Sequence, residues 1–123
     1  MNVESFFEKV PPWLELRSGD VRDVAGSGES FDRVVLDLPE PWAVLAQVSA
    51  ALGPGGILCT YLPTTSQVQA AVLAMGQTGF MQIETFEVLL RFWHVTRESV
   101  RPDHRMVAHT GFVTVGRKGV VSG

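Results

Sequence analysis

The chain has 123 residues, 46% hydrophobic and 19% charged, with a net charge of −3; this is the composition of a globular domain with its own core and excludes a disordered chain. No apolar run nears the roughly 20 residues needed to cross a bilayer, and the opening MNVESFFEKVPPW, acidic and without an apolar h-region, is not a secretory signal. The single cysteine, Cys59, excludes an internal disulfide and fits a reducing compartment, so the cytoplasm is the expected location; a small buried hydrophobe is its ordinary role.

Strands and helices are predicted to alternate along one domain, 1–123. WLELRSGD (13–20) reads as a short strand and AGSGES as a loop. FDRVVLDLPEP carries Val34, Val35, Leu36 and Leu38, a continuous apolar run that predicts a strand buried on both faces and ended by Pro39 and Pro41. WAVLAQVSAAL places Trp42, Leu45, Val48 and Leu52 on one helical face, and GPGG (53–56) stops that helix and turns the chain. ILCTYL is a second buried strand. Thr64 and Gln67 form a capping box for a helix whose apolar face is Val68, Val72 and Met75, closed by Gly79. MQIETFEVLLRFWHV reads as one long strand and HTGFVTVGRK as the last, with a bulge expected at Gly116. The whole is the second half of an open α/β sheet.

Charge divides along the chain. Residues 1–90 hold four basic and eleven acidic side chains, whereas 91–123 hold six basic (Arg91, Arg97, Arg101, Arg105, Arg117, Lys118) against Glu98 and Asp103. A phosphate-facing patch would produce this asymmetry, and so would a solvated basic face. Ligands of open α/β sheets bind beyond the carboxyl ends of the strands. Two acids stand at such ends, Asp20 and Asp37. Either could be a cap or turn residue. Asp37 carries more, because an apolar strand end and two prolines would hold its carboxylate rigidly at a cleft mouth.

LDLPEPW (36–42), LGPGGILCTYLPTTSQV (52–68) and RPDHRMVAHTGF (101–112) together resemble the tRNA adenine-N1 methyltransferases, which modify adenine 58 of the T-loop. LGPGG is common among methyltransferases; the last stretch is the most specific. The resemblance implies a partial class I, Rossmann-like methyltransferase sheet, its strands 3 to 7 with intervening helices, S-adenosylmethionine as cofactor, tRNA as substrate and a homotetramer. Residue by residue, it implies that Asp20, with Val21 beside it, receives the cofactor's adenine amino group. Asp37 matches the catalytic aspartate at the methyl-transfer site, where it also borders the cofactor, and Tyr61 matches a tyrosine near the target base. His104, Arg105, Met106 and His109 fall in the C-terminal signature as active-site wall or subunit interface. Arg91, Arg101 and Arg105 are the expected RNA contacts. No metal is expected, since this methyl transfer needs none and the three histidines lack ligand spacing. Trp42 suits its helix's core better than base stacking.

The pattern departs from that family at its start. The glycine-rich GxGxxG-like turn after the first strand and the ribose-binding acid on the second are not found, and neither is the N-terminal β-domain. In the family's strand order 3-2-1-4-5-7-6, this leaves strand 3 without a neighbour and one edge of strand 4 open. The expectation is a truncated product, a misplaced start or one piece of an assembly, inactive alone. Two other readings stand beside this one: a non-catalytic module that binds RNA or pairs with other subunits, and a class I methyltransferase for another acceptor. The second is disfavoured by DLPEP where amino-methylating enzymes carry DPPY or NPPY.

Overall fold

The computed structural model describes residues 9–105 and 111–120. Six strands and two α-helices follow in order: β1 (Phe31–Leu36), α1 (Leu45–Ala51), β2 (Leu52–Leu62), α2 (Thr65–Gln77), β3 (Phe80–Glu87), β4 (Trp93–Val95), β5 (Val100–Pro102) and β6 (Phe112–Lys118), with 3₁₀ turns at Val21–Ser27 and Pro41–Ala43. The main sheet runs β1-β2-β6-β3 and a separate hairpin pairs β4 with β5. β1 and β2 are parallel, and β6 is antiparallel to both β2 and β3. This is the 4-5-7-6 half of the order that the family resemblance implies. Among the described residues no helix is long and apolar enough to cross a membrane.

Both helices cover one sheet face. Leu45 and Val48 of α1 and Met75 of α2 join Leu36, Leu58, Phe80, Val44 and Leu52 in a single buried cluster. Strand alternation sends Val35, Cys59, Tyr61 and Val115 to the other face, which no described helix covers. Val35 is 72% exposed there. The expectation of strands buried on both faces is therefore met on one face only.

Several expected boundaries move, each for a local reason. Residues 13–20 form no strand, and Trp13 and Leu16 are exposed; of strands 3 to 7, only the counterparts of 4 to 7 form in the main sheet. An isolated strand cannot satisfy its backbone groups, and among the described residues β1 has no partner on its outer edge. The segment is tied instead by Arg17, whose guanidinium holds Glu15 at 2.9 Å and also Glu29. GPGG is no connector but a bulge inside β2: pairing jumps from Phe31↔Leu52 to Arg33↔Ile57. Gly55 has φ +77, and a Cβ on Gly56 would lie 2.8 Å from the Gly53 carbonyl. α1 thus ends at Ala51, and Leu52 is buried as a strand residue; Trp42 packs against the core from the 3₁₀ turn. The long strand over 81–95 breaks after Glu87, because its partner β6 begins at Phe112, opposite Glu87.

Gly116 pairs regularly with Leu58, so there is no bulge at that position. A Cβ there would run into the Met75 methyl, and Gly116 is small because α2 lies on it. The bulge falls across the sheet on β3, between Met81 and Glu84, where Gln82 has φ +52. Thr64 does cap α2, accepting from the Gln67 N–H at 3.3 Å. The buried face of that helix is Ala71 and Met75, with Val68 and Val72 half-buried.

Candidate functional site

The carboxyl edge of the two parallel strands carries the site. Leu36 pairs with Thr60, so one residue further on Asp37 stands beside Tyr61. Leu36 and Thr60 are both buried beneath the helices; alternation turns Tyr61 to the opposite face, and Asp37 follows the last paired residue of β1. Asp37 is exposed, and Tyr61 is 43% exposed. Tyr61 lies against Gly111, where a Cβ would collide with the phenol ring. That glycine's backbone, at φ +131, is one that L side chains rarely adopt. The chain after Asp37 is held by local turns: Ala43 N–H donates to the Glu40 carbonyl at 3.1 Å and Val44 N–H to the Pro41 carbonyl at 3.0 Å, with Pro41 buried.

Asp20 lies in the cap that its position allowed. Its Oδ1 accepts from the Arg22 N–H at 2.9 Å and from Arg22 Nε at 3.1 Å, opening the 3₁₀ turn. Those two bonds, the backbone one first, hold its carboxyl below the usual aspartate range. Among the described residues no hydrogen bond reaches Oδ2. An open cleft of about 430 Å³ is lined by Gly19, Asp20, Val21, Leu38, Pro39 and Glu40, among others. It therefore brings the Asp20–Val21 pair together with the loop that follows Asp37, in the size range of small-molecule sites.

The basic candidates sit elsewhere, on the hairpin. Trp93 pairs with Pro102, His94 with Arg101 and Val95 with Val100. Alternation thus gives the hairpin an apolar face (Trp93, Val95, Val100) and a polar one with His94 and Arg101. The Arg91 guanidinium lies 5.6 Å from the centre of the Trp93 ring, within cation–π range. His104 and Arg105 are exposed; Met106 and His109 lie outside the described residues. Among the described residues no three of His, Cys, Asp and Glu gather as a metal site would require.

Sequence reasoning missed the seat of Tyr61 on Gly111 and the reach of Gln67. Its side chain crosses to the Pro39 carbonyl, with Nε2 donating at 3.1 Å. The capping pattern identified the residue, but a contact spanning 28 positions has no sequence signature.

A parallel pair continued by antiparallel strands in the order β1-β2-β6-β3 is half of the class I methyltransferase sheet. A solved S-adenosylmethionine-dependent O-methyltransferase from Thermotoga maritima superposes with TM-score 0.75 at 34% identity, over 82% of this chain and 38% of that one. The tRNA (m1A58) methyltransferase TrmI of Aquifex aeolicus superposes at 0.69 and 33%, over 74% and 36%. Residues 9–111 match the model of the GCD14 tRNA methyltransferase complex subunit family, and the chain belongs to that family. It is 40% identical over 100 residues to the tRNA (adenine(57)-N(1)/adenine(58)-N(1))-methyltransferase TrmI of Methanocaldococcus jannaschii, covering 80% of this chain and 35% of the relative. The chain thus spans little more than a third of these proteins.

Proposed function

We propose that this chain supplies the acceptor-base half of a methyltransferase acting on N1 of adenine 58 in the tRNA T-loop, with S-adenosylmethionine as methyl donor. The observation that supports it is the Leu36↔Thr60 pairing, after which Asp37 and Tyr61 are the next residues on two neighbouring parallel strands, with Leu38 and Pro39 lining the cleft that holds Asp20 and Val21. When bound, the cofactor supplies an electrophilic sulfonium methyl. The residues present fit its adenine end: Asp20 Oδ2 is an acceptor for the amino group, and Val21, Leu38 and Pro39 give apolar walls.

Adenine N1 attacks through an in-plane lone pair, so no base is needed to remove a proton first. Positive charge then spreads to the exocyclic N6. Asp37 accepts a hydrogen bond from N6, orients the purine and stabilises that charge. The T-loop base must leave its stack to reach the site, and the exposed Tyr61 ring offers it a surface. Arg91, Arg101 and Arg105 hold the RNA backbone. The enzyme works in the cytoplasm as a homotetramer, for which the apolar hairpin face of Trp93, Val95 and Val100 is the contact. That same face favours a second reading, a non-catalytic module that joins RNA or other subunits.

The experiment is a hybrid in which this chain replaces the 100 matching residues of the M. jannaschii relative. We expect it to form 1-methyladenine in the T-loop, read by mass spectrometry of digested tRNA. A folded, cofactor-binding hybrid that methylates nothing supports the non-catalytic reading, and methylation at an oxygen overturns both.

A further inference from the structure

We propose that Gln67 is a positioning residue for Asp37, the strut that fixes the loop carrying the carboxylate to the start of α2. The proposal rests on the reading of Asp37 given above. The Pro39 carbonyl can only accept, so the Gln67 amide nitrogen must face it, and Nε2 does so at 3.1 Å. The amide oxygen is then turned to the Thr64 hydroxyl, which donates to it at 2.6 Å. The same hydroxyl oxygen accepts from the Gln67 N–H at 3.3 Å. The Thr64 hydroxyl also lies 3.3 Å from the Ser66 hydroxyl, and because the Pro39 carbonyl can only accept, the amide has one orientation.

Asp37 is thereby held from both sides. Upstream, Leu36 is paired into the sheet with Thr60. Downstream, only Leu38 separates it from Pro39, the residue Gln67 grips. Leu38 packs against the core, but Pro39 and Glu40 are exposed. The Gln67 bond is therefore the long-range polar tie on Pro39, beside the local Ala43 N–H to Glu40 carbonyl turn, and it runs to the element that directly follows the strand bearing Tyr61. Removing the side chain does not remove the helix cap, because Thr64 accepts from the backbone of position 67. A variant at this position tests the strut apart from the helix.

Nitrogen-15 NMR of the 123-residue chain reads the loop directly. In Gln67→Ala, the amides of Asp37, Leu38 and Glu40 should shift and lose order while those of α2 beyond its first turn stay put. Gln67→Glu keeps the acceptor for Thr64 but sets a carboxylate against the Pro39 carbonyl. It should loosen the loop at neutral pH and tighten it when acid protonates the new carboxyl, near or above about pH 4.3. Unchanged loop amides in both variants overturn the proposal. In the hybrid, Gln67→Ala should slow single-turnover methylation about 10- to 100-fold, as a misplaced group does. It should add nothing once Asp37→Asn is present, because the two act as a unit. Losses that simply multiply, or a normal Gln67→Ala rate beside a slow Asp37→Asn, overturn the proposal alone. A normal Asp37→Asn rate removes the reading beneath it as well.

Discussion

Gly111→Ala separates a glycine required by geometry from one that is merely small. Two penalties meet at this position: the backbone stands at φ +131, and a Cβ would strike Cζ, Oη and Cε2 of Tyr61. The first is fixed by the chain and costs about 1–3 kcal/mol for a residue with a side chain. The second is relieved only if Tyr61, a residue 43% exposed, turns its ring outward. Its relief moves the ring off the edge where Asp37 stands. In a chain of this size, each kcal/mol corresponds to about 3–6 °C in Tm, so Gly111→Ala should melt several degrees low. Gly26→Ala is the control: no positive φ and nothing within 4 Å of the added carbon, so its stability should stay within about 0.5 kcal/mol of the parent. Thermal melts followed by circular dichroism measure both, and the Tyr61 ring resonances report its displacement. If Gly111→Ala melts with the control and its Tyr61 signals do not move, the close approach of Gly111 to the ring is wrong.

Calorimetric titration of the 123-residue chain with S-adenosylmethionine should show no tight site, because the described cleft offers contacts to the adenine end alone; a stoichiometric micromolar site, about −8 kcal/mol, contradicts this. Replacing Arg101 and Arg105 together by Ala should weaken tRNA binding by the hybrid and flatten its salt dependence, the slope falling by roughly one for each phosphate that an arginine neutralises; an unchanged slope assigns these arginines to a protein interface. Arg22 keeps the Asp20 carboxyl below its ordinary value, so the cap's contribution is present above the unfolded-state pKa and fades as pH falls through the folded one. From about pH 6 to about pH 3, Asp20→Ala should therefore lose less thermal stability than the parent, though not none, since Arg17 also depresses Glu15 and Glu29. Equal losses would mean that Arg22 does not hold Asp20 in solution.

The apolar runs and the glycine–proline breaks made β1, β2, α2 and β6 legible, and the order of the half-sheet came from the family resemblance. The absence of a strand over 13–20 was not legible, because a strand is a property of its neighbours as well as of its own residues. The same limit applies to the run from 81 to 95, whose composition is uniform but whose partner ends opposite Glu87. GPGG was seen as a break in the chain, but as a connector after the helix rather than a bulge within β2. That the turn lies inside a ladder, with Leu52 already paired to Phe31, depends on a register the sequence does not display. Of the site, Asp20 and Asp37 were found by position and Tyr61 by resemblance. The Gln67–Pro39 bond and the seat of Tyr61 on Gly111 are long-range contacts, invisible until the chain is folded.

The central claim concerns the Asp37 carboxylate, and single-turnover methylation of tRNA by the hybrid tests it most directly. Asp37→Asn keeps the shape and one acceptor oxygen; Asp37→Ala removes both the charge and the acceptor. Both should melt near the parent, because Asp37 is exposed, and both should bind cofactor almost as before. Turnover should fall about 10²–10³-fold, the usual loss for a transition-state contact, with Asp37→Ala the slower. A well-folded Asp37→Ala hybrid that methylates tRNA at near the parent rate would make Asp37 a turn residue and contradict the site proposed for this chain.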